Sequence, residues 1–346
     1  MRFHVLSLPH TKTTTAYSWC AYTEKVRKFA TMLTRLGHDV YLYAADENEA
    51  ECTELVDCAE PYTPDPLDVP DFTATNPLFK RFNRRAIKAI ACRILPKDFI
   101  CLIGGNTQQP IARAFQENMS VEFGVGYSGV FSDYKVFESY AWMHTVYGAL
   151  AKDPHSAVGN FYDTVIPSCF EIDQFPYSCP TDYYLFIGRV TSQKGYWLAS
   201  EVCERIGKRL VIAGPGRPTD IPPNCEYLGV VGPRDRGTLM SHALATFVPT
   251  TYIEPFGNVH AESLMCGTPV ITTDWGVFTE TVVNGINGFR CRTFRQFCDA
   301  AAAAPSLDRY AIRLAAHSRF STDVVGPMYE CYYENLLTLW GDGFYA

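Results

Sequence analysis

A chain of 346 residues with 47% hydrophobic and 19% charged residues is longer than one ordinary core organises and suits two globular domains. Its net charge of −7 is spread as 16 basic and 19 acidic groups over residues 1–170 and 14 and 18 over the remainder. No half is basic, which argues against a dedicated nucleic-acid domain, since such binding needs clustered Lys and Arg. The 13 cysteines form no CxxC pair, so zinc and thioredoxin-type spacings are excluded and no metal is expected. No apolar run is long enough to span a bilayer, and MRFHVLSLPH reads as a strand and turn rather than a signal peptide. A reduced, cytoplasmic protein is expected, with most cysteines acting as small core hydrophobes.

In chain order, residues 2–8 read as a buried strand. Residues 20–36 place Val26, Phe29, Ala30, Leu33 and Leu36 on one helical face, with Gly37 as a stop. Residues 39–45 form a second strand, and strand–helix–strand order implies a parallel sheet. The acidic and proline-rich residues 46–76 read as an irregular excursion. A helix is predicted over 78–95, a strand over 99–105, a helix near 110–116, a strand over 121–129, a helix over 138–150, and a short strand and linker over 164–175. The second half repeats the pattern with strands over 183–189, 209–216, 225–231, 245–251 and 268–274. These strands are apolar throughout, as expected when both faces are covered. The amphipathic stretch 324–340 packs last. The fold class is therefore α/β, with two doubly wound Rossmann-like domains facing across a cleft. The expected domains are residues 1–175, 176–322 and a C-terminal helix over 323–346.

Ligands of open α/β sheets bind at the carboxyl ends of strands, and the second half has three polar clusters there. In GRVTSQKG, Arg189 ends a strand and Lys194 opens a helix, an arrangement suited to a diphosphate and equally to a solvated loop. In AGPG, Gly214 permits close approach of a ligand or a tight turn. In EPFGNVHAE, Glu254 lies in a loop and Glu262 one turn into a helix, on the face of Asn258. The amides of Phe256, Gly257, Asn258 and Val259 would face an anion. The two carboxylates could grip hydroxyls of a sugar nucleotide. They could also be a glycosidase acid/base pair, but the phosphate-binding features nearby would then have no purpose.

These segments together, with Glu280 followed by NGINGF, resemble the donor-binding half of the retaining GT-B glycosyltransferases of glycosyltransferase family 4, whose E-x7-E motif is matched by Glu254 and Glu262. VIPSCFEIDQF resembles that family's interdomain linker, and HSRFSTDVVGPMYECYYENLL its C-terminal helix, which returns to the first domain. The resemblance implies that Arg189 and Lys194 hold the diphosphate of a UDP- or GDP-sugar and that Gly214 lines the same site. Glu262 would bind the ribose hydroxyls and Glu254 those of the transferred hexose or pentose, while the amides of 256–259 meet sugar and phosphate. The nucleotide sugar is a co-substrate, and neither cofactor nor metal is implied. Retention would proceed by front-face attack through an oxocarbenium-like state, without a protein nucleophile. The first half departs from the family: Leu8 to Thr15 replaces its Gly-rich turn, and Gly104-Gly105-Asn106-Thr107 its His-containing stretch.

Several residues of the first half remain candidates. His10, just beyond the first strand, is a catalytic or acceptor-binding candidate or a turn histidine. His144, in a helix among aromatics, is a catalytic candidate or a packed side chain. Tyr127, Phe131 and Tyr134 could form a stacking platform or pack on neighbours. Lys80, Arg81, Arg84, Arg85 and Lys88 form a basic helix face that could meet an anionic acceptor, or simply be solvated. The acceptor is accordingly a glycan, a protein, a small molecule or modified DNA. A sugar-nucleotide epimerase on the same architecture is the alternative enzyme.

Overall fold

The computed structural model describes residues 1–60 and 71–339. The middle of the excursion expected over 46–76 and the end of the stretch expected over 323–346 lie outside the described residues. By its internal contacts the chain divides into two units. The first holds Met1–Glu138, Met143–Ser168 and the chain from Val325, and the second holds Ser139–Trp142 and Cys169–Val324.

The first unit is a parallel sheet of seven strands. They are β1 (Arg2–Leu6), β2 (Asp39–Ala44), β3 (Glu54–Asp57), β4 (Phe99–Leu102), β5 (Ser120–Val125), β6 (Tyr134–Phe137) and β7 (Thr164–Val165), ordered β3-β2-β1-β4-β5-β6-β7. Its helices include α1 (Ala21–Arg35), α2 (Pro77–Ala91), α3 (Gln109–Ala114) and α4 (Tyr140–Leu150), whose first residues cluster with the second unit. The predicted apolar face of α1 is buried, and Gly37 follows it at φ 84°.

Two strands of this unit escaped the sequence reading. β3 lies in the stretch expected to be irregular, where three half-exposed residues and the exposed Asp57 pair along β2 at the sheet edge. β6 contains Lys135, which disguises it as a loop. The buried ammonium donates to the Ser132 carbonyl at 2.7 Å and pairs with Asp163 at 3.1 Å. A buried cation needs such partners, and both are distant or backbone groups that residue type does not reveal.

The last helix, α11 (Thr322–Leu337), joins the first unit from Val325 onward. Gly326 lets it approach α1 closely, since a Cβ there would lie 3.3 Å from Met32 and Leu36. Tyr333 sits between Phe3 and Phe99, with ring centroids 4.8 Å from each, and its hydroxyl is 3.2 Å from Cys101 Sγ.

The second unit is a six-stranded parallel sheet of β8 (Tyr183–Ile187), β9 (Arg209–Ala213), β10 (Cys225–Tyr227), β11 (Thr246–Val248), β12 (Val270–Thr273) and β13 (Gly288–Cys291), ordered β10-β9-β8-β11-β12-β13. Around it lie α5 (Tyr196–Arg205), α6 (Pro233–His242), α7 (Asn258–Met265), α8 (Phe278–Thr281), α9 (Phe294–Ala303) and α10 (Arg309–Phe320). Alternate strand residues feed two separate cores. Leu185, Val211, Val248 and Val270 enter one, and Tyr184, Phe186, Leu210, Ile212, Phe247 and Ile271 the other. That is why these strands read as apolar runs rather than as alternating ones.

The packing of α11 generates a prediction. Tyr333→Ala should cost about 3–5 kcal/mol, the usual toll for emptying a large aromatic site, and lower the melting temperature of the first unit by several degrees in a calorimetric scan.

Candidate active site

Strand order places the site. The chain runs outward from β8 to β9 and β10, then returns to the other side of β8 as β11. Between β8 and β11 the winding reverses, and in open α/β sheets the loops leaving such a pair diverge and leave a crevice for ligand. Here those loops are Gly188–Gly195 and Pro249–Gly257. They are tied together: the Thr251 amide and hydroxyl both donate to the Gln193 carbonyl, at 2.9 and 3.2 Å. Gly195, at φ 77°, lies so close that a Cβ would strike the Pro249 carbonyl.

This junction brings Lys194 to Glu254. The ammonium donates to both carboxylate oxygens, at 2.9 and 2.8 Å, and lies 5.0 Å from the centre of the Tyr252 ring. Glu254 is 8% exposed. The pair therefore sits where solvent screening is weak and its geometry is constrained. Arg189 stands at the start of the same loop, half-buried, and its guanidinium meets no acceptor among the described residues.

The other wall is the N-terminus of α7. Gly257 caps it in the left-handed region, at φ 74°, and a Cβ there would lie 2.7 Å from Glu254 Cγ. Only glycine meets both demands. The amides of Phe256, Gly257, Asn258 and Val259 donate to nothing among the described residues. A helix start with free N–H groups attracts an anion through those groups and through its dipole. Phe256 anchors the turn, packed against His260 and Phe320 with centroids 5.3 and 5.7 Å away. Ser139 Oγ donates to the Pro255 carbonyl at 2.5 Å. One turn further, Glu262 is 2% exposed. Its Oε1 accepts from Arg236 Nη2 at 2.9 Å, while its Oε2 is buried with no partner among the described residues. Glu280 accepts the amides of Tyr140 and Ala141, at 3.1 and 2.7 Å, and so serves as a helix cap.

Gly214 has a structural reason of its own. A Cβ there would strike the Gly188 carbonyl where the ends of β8 and β9 run side by side. Tyr227 Oη donates to the carbonyls of Gly214 and Gly216, at 2.9 and 2.6 Å.

The histidines of the first unit differ from each other. His10 is interior, 1% exposed, with Nε2 3.4 Å from Cys20 Sγ and Nδ1 without a partner among the described residues. Desolvation lowers its pKa to about 4, so it is neutral at physiological pH. His144 is exposed on α4, beside Tyr147 at 6.3 Å between centroids, rather than packed inside. Of the two readings for the aromatics, Tyr127 and Tyr134 take the second and pack on neighbours. Tyr127 packs on Tyr22 and donates to buried Glu122 at 3.1 Å, whereas Tyr134 belongs to β6 and packs on Tyr162. On α2, Arg81 and Arg85 reach Glu60 at 2.7 and 3.5 Å, while Lys80, Arg84 and Lys88 point to solvent.

One contributor to this site and one tie within the first unit were missed in the sequence. Arg236 sits in a polar helix with no motif to mark it. Gln108 holds the ends of β1 and β4 together, accepting the Ile103 and Gly104 amides at 2.9 and 2.8 Å and donating to the Ser7 carbonyl at 2.9 Å. It follows the Gly104-Gly105-Asn106-Thr107 stretch directly, so that stretch was the available signal.

Residues 177–304 match the family model of the glycosyl transferases group 1, and the second unit thus carries a domain of that type. An uncharacterized glycosyltransferase of Methanocaldococcus jannaschii is 33% identical over 118 residues, which is 30% of each chain. The chain spans about a third of the length of the curated relatives it matches. Among solved structures, a glycosyltransferase involved in avilamycin A biosynthesis superposes with a TM-score of 0.73 at 18% identity, over 98% of both chains. Anabaena HepE in complex with UDP-glucose gives 0.66 at 14% identity, over 98% of this chain and 100% of that one. The fold is that of the GT-B glycosyltransferases: two parallel-sheet, Rossmann-like α/β units.

Two predictions follow from the site's construction. Gly257→Ala forces an L-residue into the left-handed region at a cost of roughly 1–2 kcal/mol and displaces Glu254, so it should abolish binding of any anion at α7 in a titration while lowering the melting temperature only modestly. The second concerns pH. His260 is buried, its Nδ1 donates to the Gly257 carbonyl at 2.6 Å, and desolvation lowers its pKa to about 4, as for His10. Both folded values lie below the ordinary histidine value of about 6.5. The unfolded chain therefore binds more protons between these limits, and stability must fall as pH drops from about 6.5 to about 4. Melting temperatures across this range should decline less steeply in a His10→Gln/His260→Gln variant.

Proposed function

We propose that the chain is a retaining, metal-independent glycosyltransferase that moves a hexose or pentose from a nucleoside-diphosphate sugar to a hydroxyl of a glycan, protein or small-molecule acceptor. The observation that carries this reading is the meeting, at one switch point, of the Lys194–Glu254 pair, the Arg189 guanidinium and the four amides at the start of α7, the last two without partners among the described residues. Cations, free amides and a buried carboxylate together suit a diphosphate joined to a polyol.

The roles are those that the resemblance implies, and charge supports the diphosphate part of them. Arg189, Lys194 and the amides of 256–259 take the diphosphate, whose negative charge grows as the bond from its oxygen to the anomeric carbon breaks. Preorganised donors stabilise that growth electrostatically. Glu254 holds hydroxyls of the transferred sugar, and Glu262 those of the ribose. The acceptor oxygen bonds to the anomeric carbon on the face the diphosphate leaves, and its proton passes to the departing phosphate oxygen, which conserves configuration. The complexes of HepE with UDP and UDP-glucose make uridine nucleotides the first donors to test. None of the 13 cysteines, all of them among the described residues, is in a disulfide, which fits a reducing, cytoplasmic setting.

Because Lys194 is already engaged by Glu254, a diphosphate must compete for it. Glu254→Ala should therefore abolish transfer and donor hydrolysis yet bind nucleoside diphosphate as tightly as wild type or tighter. Arg189→Ala and Lys194→Ala should weaken that binding about 10- to 100-fold, the range for losing a charged hydrogen bond. The check is a thermal-shift and calorimetric screen of UDP- and GDP-sugars, followed by assay of released nucleotide. If no nucleotide sugar stabilises the wild-type protein, the reading is wrong.

A further inference from the structure

Beyond the residues already assigned, α6 sends one side chain to the α7 wall. Arg236 lies on its first turn, where the Arg236 amide donates to the Gly232 carbonyl at 2.9 Å and Pro233 starts the helix. The next residue, Gly237, seats the helix. A Cβ there would lie 2.7 Å from the Gln174 carbonyl and 3.1 Å from Pro176, and the Gly237 carbonyl is 3.6 Å from Cys266 Sγ, at the end of α7. α6 is thus held tightly between the segment at 174–176 and α7, and the position of Arg236 is set by backbone packing rather than by its own flexible side chain.

Its guanidinium takes one oxygen of Glu262, at 2.9 Å, and leaves the other buried and unpartnered. The Glu262 side chain is 3% exposed and that of Arg236 24%. A buried carboxylate is stabilised by an opposite charge held against it, and Arg236 is its one ion-pair partner among the described residues. The unmade hydrogen bond at Oε2 costs energy until a donor arrives.

Resting on the donor-binding function proposed above, we infer that Arg236 is a positioning residue for nucleoside recognition. It fixes the plane of the Glu262 carboxylate through Oε1 and leaves Oε2 as the acceptor for a ribose hydroxyl. It acts through Glu262, so its effect belongs to nucleoside affinity and ribose selectivity and not to the chemical step.

The test compares binding of UDP, GDP and their 2′-deoxy and 3′-deoxy analogues by calorimetry to wild type, Arg236→Ala, Arg236→Gln and Arg236→Lys. Donor KM and kcat are measured alongside, with melting temperatures as the folding control. Wild type is expected to prefer the ribonucleotide to at least one deoxy analogue. Arg236→Ala should bind the ribonucleotide about 10- to 100-fold more weakly, with the ribo/deoxy ratio falling to about one. The same variant should raise KM far more than it lowers kcat. Arg236→Lys, which keeps the charge, should restore part of both affinity and selectivity. If Arg236→Ala does not fold, the comparison of Arg236→Gln with Arg236→Lys carries the same contrast, and equal affinities and ratios in these two and wild type overturn the inference. A folded Arg236→Ala with wild-type affinity and ratio overturns it as well. Wild type that binds UDP or GDP without ribose preference refutes the role of Arg236 and leaves the donor reading standing, whereas wild type that binds neither refutes the donor reading itself.

Discussion

The pairing of Lys194 with Glu254 depends on two loops that have no reason to be adjacent until the sheet is wound. One leaves β8, the other leaves β11, and sixty residues of α/β structure lie between the two side chains. Once β11 returns to the far side of β8, the loops share a backbone hydrogen bond at Thr251 and Gln193, and the ion pair closes over it. The rest of the site is arranged around that junction. Gly195 permits the close approach, Gly257 makes room for Glu254, and α7 then points its free amides into the same region. The cost of burying Glu254 is offset by an ammonium that contacts both of its oxygens, the condition under which buried pairs persist.

The two carboxylates of the site are treated alike. Each is less than a tenth exposed, and each is held by a cation from another loop or helix: Glu254 by Lys194, and Glu262 by Arg236. Without ligand each of these two pairs balances its own charge, while Arg189 keeps a guanidinium with no acceptor among the described residues. A ligand bearing both a diphosphate and hydroxyl groups can replace these internal contacts with its own, phosphate oxygens drawing the cations and hydroxyls satisfying the carboxylates. That exchange favours a ligand with both chemistries over one with either alone, because each partial ligand leaves a buried group unsatisfied.

The two units place their polar groups differently. In the second, charged side chains gather at one switch point. In the first, the corresponding ends of β1 and β4 are joined by an uncharged residue, Gln108, through three hydrogen bonds to backbone groups. The interior histidine next to this region, His10, is kept neutral by burial. The second unit therefore has the character of an anion site at its switch point, whereas Gln108 offers only uncharged hydrogen-bonding groups at the ends of β1 and β4.

Some of this was legible in residue order alone. Apolar runs ending in glycine or polar turns marked β1, β2, β4, β5 and the second-half strands from β8 to β12, because strands covered on both faces must be apolar along their length. The spacing of Glu254 and Glu262, with Gly257 between them, marked a loop running into a helix with carboxylates on either side, because glycine at a cap and a one-turn offset are local features. Three things required the folded chain. β3, β6 and β13 are short strands of mixed composition that exist because a neighbouring strand offers them hydrogen bonds. The placing of His10 in the interior and His144 at the surface depends on neighbours far along the chain. Arg236 became visible only when α6 was packed against α7, since an arginine in a polar helix has no periodicity to betray its partner. Sequence determines what lies within a turn or a strand of a residue, where the backbone itself sets the distance. Contacts across sixty residues, or between two helices, are set by strand order and packing, which only the tertiary structure decides.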